Sequence, residues 1–354
     1  MNYVYLYVIG AAQGLVLAIA LWLKQVNVRS NRLLAVWTLL LVFDLCIKAV
    51  YLNNQQTRFF PVYTLALFLP FLYGSLFYLY VRTITLKKPL QWRDVIHFAG
   101  FIVMAGLNLP WIINPWEQIP VFWLSFDLSL YLYSISYVMA GLVTIKKYRR
   151  ALEQQQSNTD GVSLIWIDVM AYSQVVIWLI AVSQWLVPIE SYNVWVIYVA
   201  VAIYIIVMGY LALSQISVQP VKPITMPQSE TNANAKEMND DRFPAVTAKL
   251  KRLMIEQKLY LEPTLSIGQL SKKAGYPEYL VSQVINHVHG QTFREYINAL
   301  RISAAKKMLL DPNNKSSILD IAYASGFTSK STFNSVFKKL NRQTPSQFRQ
   351  TKAC

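Results

Sequence analysis

Five polar side chains within one nine-residue stretch, Lys330, Ser331, Asn334, Ser335 and Lys338, share one face of the chain when it is wound as an α-helix. Their types fit recognition better than bond-making. Hydroxyl and amide groups hydrogen-bond to base edges in a DNA groove, and lysines pair with phosphates. The opposite face carries Phe333, Val336, Phe337 and Leu340 at i, i+3, i+4 and i+7, a stripe that packs inward.

An amphipathic helix with a merely solvated face shows the same pattern, so the elements around it matter. Ile318–Phe348 reads as helix, Gly turn, helix, and a second copy of that pattern stands upstream. There Ile267, Leu270 and Ala274 form one stripe, Gly275 marks the turn, and Val281, Val284 and Ile285 form the next. Tyr279, Ser282, Gln283 and Asn286 lie on the outer face. Between the copies, Phe293, Tyr296, Ile297, Leu300, Ala304 and Met308 predict a connecting helix of roughly 17 residues, about 25 Å long, ended at Asp311-Pro312. A helix of that length holds two reading helices about one turn of B-DNA apart, roughly 34 Å.

These residues resemble the arabinose-regulator (AraC/XylS) family of bacterial transcription factors over about Phe243 to Arg349. Ile321-Ala322, Gly326-Phe327, Phe333, Val336-Phe337-Lys338, Thr344-Pro345 and Phe348 carry the likeness. The resemblance implies base-reading helices at Pro277–Asn286 and Ser329–Leu340. It puts base contacts at Tyr279, Leu280, Ser282 and Gln283 in the first, and at Lys330, Ser331, Thr332, Asn334 and Ser335 in the second. Arg342 stands where the family usually has Gly. A non-Gly residue in a left-handed cap costs on the order of 1 kcal/mol, and Asn341 is the alternative bearer of that conformation. Pro277 replaces a Ser or Thr cap, and the first reading face has no Arg or Lys, so it is expected to add less affinity than the second.

The rest of the chain is different in kind. All ten tryptophans precede residue 200. Apolar runs long enough to cross a bilayer recur seven times: Tyr3–Leu23, Leu33–Leu52, Pro61–Val81, Val95–Ile113, Pro120–Thr144, Leu164–Val187 and Tyr192–Leu213. Basic residues gather after the odd spans, at Lys24, Arg29 and Arg32, then Arg82, Lys87, Lys88 and Arg93, then Lys146, Lys147, Arg149 and Arg150. The other loops hold little more than Arg58, Glu117 and Glu190. The positive-inside rule therefore predicts an external N-terminus and a cytoplasmic tail. The expected fold class is all-α: about seven transmembrane helices in residues 1–213, a flexible Pro- and Asn-rich linker over 214–241, and a two-unit helix-turn-helix domain over 242–354. From Arg242 onward Lys and Arg outnumber Asp and Glu by 18 to 6, which supplies +12 of the formal +15. That excess suits counterion release from DNA.

Within the spans, Asp44 and Lys48 stand one turn apart, and ionisable groups at that depth point to a functional contact or a bundle-holding pair. They are the candidate signal-sensing residues; Asp127, Asn108, Gln13, Gln174 and Gln184 are weaker ones. Pro70 predicts a kink. His287 and His289 lack the further ligands a zinc site needs, and two cysteines allow neither a disulfide framework nor zinc spacing. No catalytic motif or cofactor signature occurs, so no enzyme activity, metal or cofactor is expected. The expected protein is a regulator in the bacterial cytoplasmic membrane whose partners are double-stranded DNA and the lipid bilayer. RNA polymerase, an unidentified signal ligand and a second copy in a homodimer are further partners this reading admits. The competing readings are an intramembrane transporter or enzyme with an attached regulatory domain, and a passive anchor for a constitutive DNA binder.

Overall fold

The computed structural model describes residues 4–54, 60–114, 123–158, 165–186, 195–214 and 242–351. The expected linker apart from Ser214, which ends a helix, and the loops holding Arg58, Glu117 and Glu190 lie outside them. The chain divides into two compact units, one of Met1–Lys147 with Leu164–Pro220 and one of Tyr148–Ser163 with Val221–Cys354.

The first unit contains α1 (Val4–Leu23), α2 (Val28–Asn53), α3 (Phe60–Ala66), α4 (Pro70–Leu86), α5 (Ala99–Leu107), α6 (Leu109–Ile113), most of α7 (Trp123–Gln155), α8 (Ile165–Leu186) and α9 (Trp195–Ser214). Among the described residues, α1, α2, α7, α8 and α9 are long and apolar enough to cross a bilayer singly. A bent path through α3 and α4 makes a sixth. The bend is 46°, and it falls where the Pro70 ring removes an amide and the chain tightens into i→i+3 bonds such as Phe68 N to Leu65 O, 3.1 Å. The apolar run Val95–Ile113 is also helical but in pieces, a 3₁₀ turn over Trp92–Phe98 followed by α5 and α6. Pro110 interrupts the ladder there, while Asn108 turns its side-chain amide back to Met104 O at 2.8 Å. Asp94 in the 3₁₀ turn takes both ends of the Arg82 guanidinium at 2.7 and 2.5 Å, which ties the turn to α4.

Tight helix packing here depends on small residues, which let two backbones approach closely. A Cβ on Gly74 of α4 would sit 2.8 Å from the Ser134 carbonyl oxygen of α7, so only Gly permits that approach. At the other end, the Lys24 ammonium donates to Ala212 O and Leu213 O, at 2.9 and 2.7 Å. A cation on the last carbonyls of α9 is the favourable sign for a helix C-terminus.

The second unit contains α10 (Phe243–Ile255), α11 (Ile267–Ala274), α12 (Glu278–His289), α13 (Phe293–Leu310), α14 (Ile318–Ala324), α15 (Lys330–Asn341) and α16 (Pro345–Thr351). It holds two apolar cores. One gathers α10, α11, α12 and the first turns of α13 around Leu250, Leu270, Leu280, Val284 and Ile297; the other gathers the rest of α13, α14 and α15 around Ile302, Ala305, Ile321, Phe333 and Phe337. The inward stripe on α13 therefore changes course. It follows Phe293, Tyr296 and Ile297, then moves to Arg301, Ile302, Ala305 and Leu309, so the expected Leu300, Ala304 and Met308 are only partly buried.

Candidate nucleic-acid interface

Each reading helix is placed by a capped helix and a left-handed turn. Ser266 caps α11, with its hydroxyl taking the Gln269 amide at 3.3 Å and the Gln269 side chain taking the Ser266 amide at 2.8 Å. Gly275 then adopts φ 78°, which turns the chain into α12. In the second unit Ser317 and Asp320 make the equivalent box for α14, and Ser329 caps α15 by accepting from Thr332 N at 3.2 Å. Gly326 lies between them at φ 91°, and a Cβ there would stand 2.9 Å from Leu261 O and 3.0 Å from Arg301 Nε. Both space and backbone demand glycine. Arg342, not Asn341, takes the left-handed position after α15, at φ 59° and ψ 4°. The Asn341 side chain instead donates back to Phe337 O at 3.0 Å.

The reading faces differ from one another. On α15, Lys330, Ser331, Ser335 and Lys338 are exposed and Thr332 and Asn334 half-exposed, so all six stand on or beside one surface. Leu340, expected in the inward stripe, is exposed; Phe348 from α16 meets Phe337 at 5.4 Å and closes that side of the core. On α12, Ser282 and Gln283 are half-exposed and Asn286 exposed. Leu280 is a correction to the expected contacts. It is 0% exposed in the first core, and no base is within its reach without unpacking the helix. Tyr279 is also buried. Of the residues expected on the outer face of α12, Ser282, Gln283 and Asn286 are the accessible ones.

Arg301 is the residue that spacing overlooked. It is 1% exposed, a buried cation in the middle of the connecting helix. Its Nε donates to Tyr260 O at 2.8 Å and its Nη2 to Glu262 O at 2.7 Å and Ser157 Oγ at 3.2 Å, while the guanidinium carbon lies 5.8 Å from the Phe327 ring centre. A buried guanidinium is tolerable only with such partners. Ser157 comes from the far side of the sequence. Its amide and hydroxyl both donate to Leu265 O, at 3.1 and 2.6 Å, beside an antiparallel bridge between Gln156 and Ser266. Glu153 pairs with Arg294 at 3.2 Å, and the Asn158 side-chain amide donates to Thr328 Oγ1. Residues 153–158 thereby touch the entry to α11, the connecting helix and the entry to α15.

The two sensing candidates are brought together within the first unit. Lys48 Nζ lies 2.6 Å from Asp44 Oδ1, the Tyr73 hydroxyl donates to Asp44 Oδ2 at 3.0 Å, and Lys48 sits 4.1 Å from the Tyr198 ring centre. The pair lines a cavity of about 250 Å³, which Asp127 and Gln174 also line. Gln13 lines a separate groove between α1 and α9.

Two helix-turn-helix units on one connecting helix, with a basic polar face on the second, define a DNA-binding transcriptional regulator. A helix-turn-helix domain model matches residues 270–351. The chain is 33% identical over 96 residues to the probable transcription factor PqrA of Proteus vulgaris, an alignment covering 27% of this chain and 77% of that protein. It is 32% identical over 126 residues to the transposon Tn10 TetD protein of Escherichia coli, covering 35% of this chain and 88% of the relative. An uncharacterized HTH-type transcriptional regulator of Staphylococcus aureus, SAS0078, is 30% identical over 118 residues, 33% of this chain but only 15% of its own length. No solved structure matches the chain. The chain belongs to the arabinose-regulator (AraC/XylS) family.

Proposed function

We propose that the protein is a membrane-anchored, sequence-specific regulator that couples a signal received in its apolar bundle to transcription. The spans cross the bacterial cytoplasmic membrane with the N-terminus outside, and the domain over 242–354 works in the cytoplasm. Ser282 and Gln283 on α12, with Lys330, Ser331, Thr332, Asn334, Ser335 and Lys338 on α15, are the proposed DNA contacts. The observation that carries the coupling is the course of α7. It is one continuous helix whose residues up to Lys147 belong to the apolar unit, while Tyr148–Gln155 and the following residues are built into the DNA-binding unit through Ser157, Glu153 and Asn158. A displacement along such a helix reaches the entries to both reading units without passing through the linker.

Reporter fusions and span deletions test this. An enzyme active only in the cytoplasm works when fused after Cys354, and one active only outside works when inserted after Glu117. A tail beginning at Arg242 binds operator DNA yet loses the response to the physiological stimulus. Full regulation by the tail alone makes the bundle a passive anchor and refutes the coupling.

A further inference from the structure

The 250 Å³ cavity in the first unit is lined by side chains from α2, α4, α7, α8 and α9, and its charges do not balance. Its charged lining residues are Asp44, Lys48 and Asp127, two carboxylates to one ammonium. Lys48 is taken up by Asp44 at 2.6 Å, and the remaining Asp44 oxygen is taken up by the Tyr73 hydroxyl. Asp127 is half-buried and has no ion-pair partner among the described residues. A carboxylate in an apolar bundle without a counter-charge is costly, and such groups mark ligand or ion pathways.

The walls around Asp127 are aromatic. Tyr131 lies one turn further along α7, on the same face, and meets the Trp178 ring edge-on at 6.3 Å; both line the cavity with Phe126, Tyr198 and Tyr204. Trp178 Nε1 is buried and donates to no described acceptor. Electron-rich ring faces attract cations, and this cavity already holds one such contact, Lys48 over Tyr198. A bare metal ion is poorly served, since it needs several oxygen ligands, and no group of three His, Cys, Asp or Glu able to hold one occurs among the described residues. An anion would face Asp127 and compete with Asp44 for Lys48. A neutral apolar molecule would leave the Asp127 charge uncompensated.

We propose that this cavity binds a small organic cation, its charge against Asp127 and its apolar part against Tyr131 and Trp178. The volume exceeds the roughly 150 Å³ that accepts a benzene ring, so a one-ring amine or quaternary ammonium is the matching size. The proposal rests on the signal-receiving function only for what binding does, because occupancy is measured separately from output.

The test uses the full chain in phosphatidylcholine nanodiscs, with benzyltrimethylammonium as the probe and phenylacetate as its anionic counterpart, followed by tryptophan fluorescence and calorimetry. Benzyltrimethylammonium is expected to bind saturably, with Kd raised at least tenfold in Asp127→Asn and in Tyr131→Leu but within twofold of the parent in Tyr131→Phe. That last variant keeps the ring and guards against simple misfolding. Phenylacetate binding as tightly as the cation, or Asp127→Asn keeping the parent affinity, overturns the proposal. Saturable, Asp127-dependent binding that leaves operator affinity unchanged upholds the site and counts against the coupling.

Discussion

Replacing Ser157 by Ala removes two side-chain hydrogen bonds from the segment that leads from α7 into the DNA-binding unit, without altering a residue of 242–354. One runs from the Arg301 guanidinium at 3.2 Å and one to Leu265 O at 2.6 Å. A hydrogen bond to a charged group contributes about 1.5–3 kcal/mol and a neutral one about 0.5–1.5. Arg301 keeps Glu262 O, and Leu265 O keeps the Ser157 amide, so the loss belongs at the low end, about 2 kcal/mol. At ~1.4 kcal/mol per factor of ten, the docked state of residues 153–158 falls roughly 30-fold relative to the undocked state. Hydrogen exchange on the full chain reads this directly. The Ser157 amide, which donates to Leu265 O, should exchange about 30-fold faster, and peptides across 258–266 should follow, while those in α1 and α2 stay as in the parent. Glu153→Gln, which weakens a half-exposed pair with Arg294, should change exchange less than fivefold. Unchanged exchange at Ser157 in Ser157→Ala, with the rest of the map intact, means the segment is not held by these bonds. The coupling route through α7 then fails with it.

On α12, Leu280→Ala is expected to destabilise the second unit by about 2–5 kcal/mol through cavity formation, whereas Gln283→Ala destabilises it less and weakens cognate over random DNA; thermal melts and competition binding separate the two. Arg342→Gly is expected to stabilise the unit by about 1 kcal/mol, because φ 59° costs a non-Gly residue, and a lower or equal melting temperature refutes that strain. Glu295 is pulled below its ordinary 4.5 chiefly by the Thr292 amide, and Asp320 below its ordinary 3.8 by the Ser317 hydroxyl. Depressed carboxylates stabilise fully above their unfolded values and lose that contribution as pH falls through the folded ones. Protection of the first turn of α13 should therefore hold above pH 4.5 and that of α14 above pH 3.8, each declining below, and Glu295→Gln, which keeps a cap that does not titrate, should flatten the α13 decline.

The helix-turn-helix units are legible in sequence because their determinants are local. Ser266, Ser317 and Ser329 cap helices whose apolar residues recur at helical spacing, and Gly275 and Gly326 occupy left-handed turns. The same spacing already turns Leu280 inward, four residues before Val284; it was the family correspondence that put it among base contacts. Most of the long apolar helices are equally plain, and Pro70 shows where one run bends, whereas Val95–Ile113, expected as one span, is broken into a 3₁₀ turn and two short helices. What spacing does not reveal depends on contacts between distant residues. The stripe on α13 shifts because that helix serves two cores on different faces, so one period extended along it picks Leu300 and passes over Arg301. The cavity likewise draws its walls from five helices, and only their packing shows that Asp127 shares it with Asp44 and Lys48.

Arg301 also explains why the connecting helix does more than set a distance. Eighteen residues give α13 a length of about 27 Å, but a spacer alone leaves each reading unit free to rotate about its end. The buried guanidinium fixes the carbonyls of Tyr260 and Glu262, just before α11, and packs by Phe327, just before α15. At 1% exposure it is out of reach of a duplex and does not read DNA. It ties together the segments that lead into the two helices proposed to read DNA. Because Ser157 supplies one of its partners, the coupling proposed through α7 predicts that withdrawing Ser157 alters DNA recognition through this one buried cation.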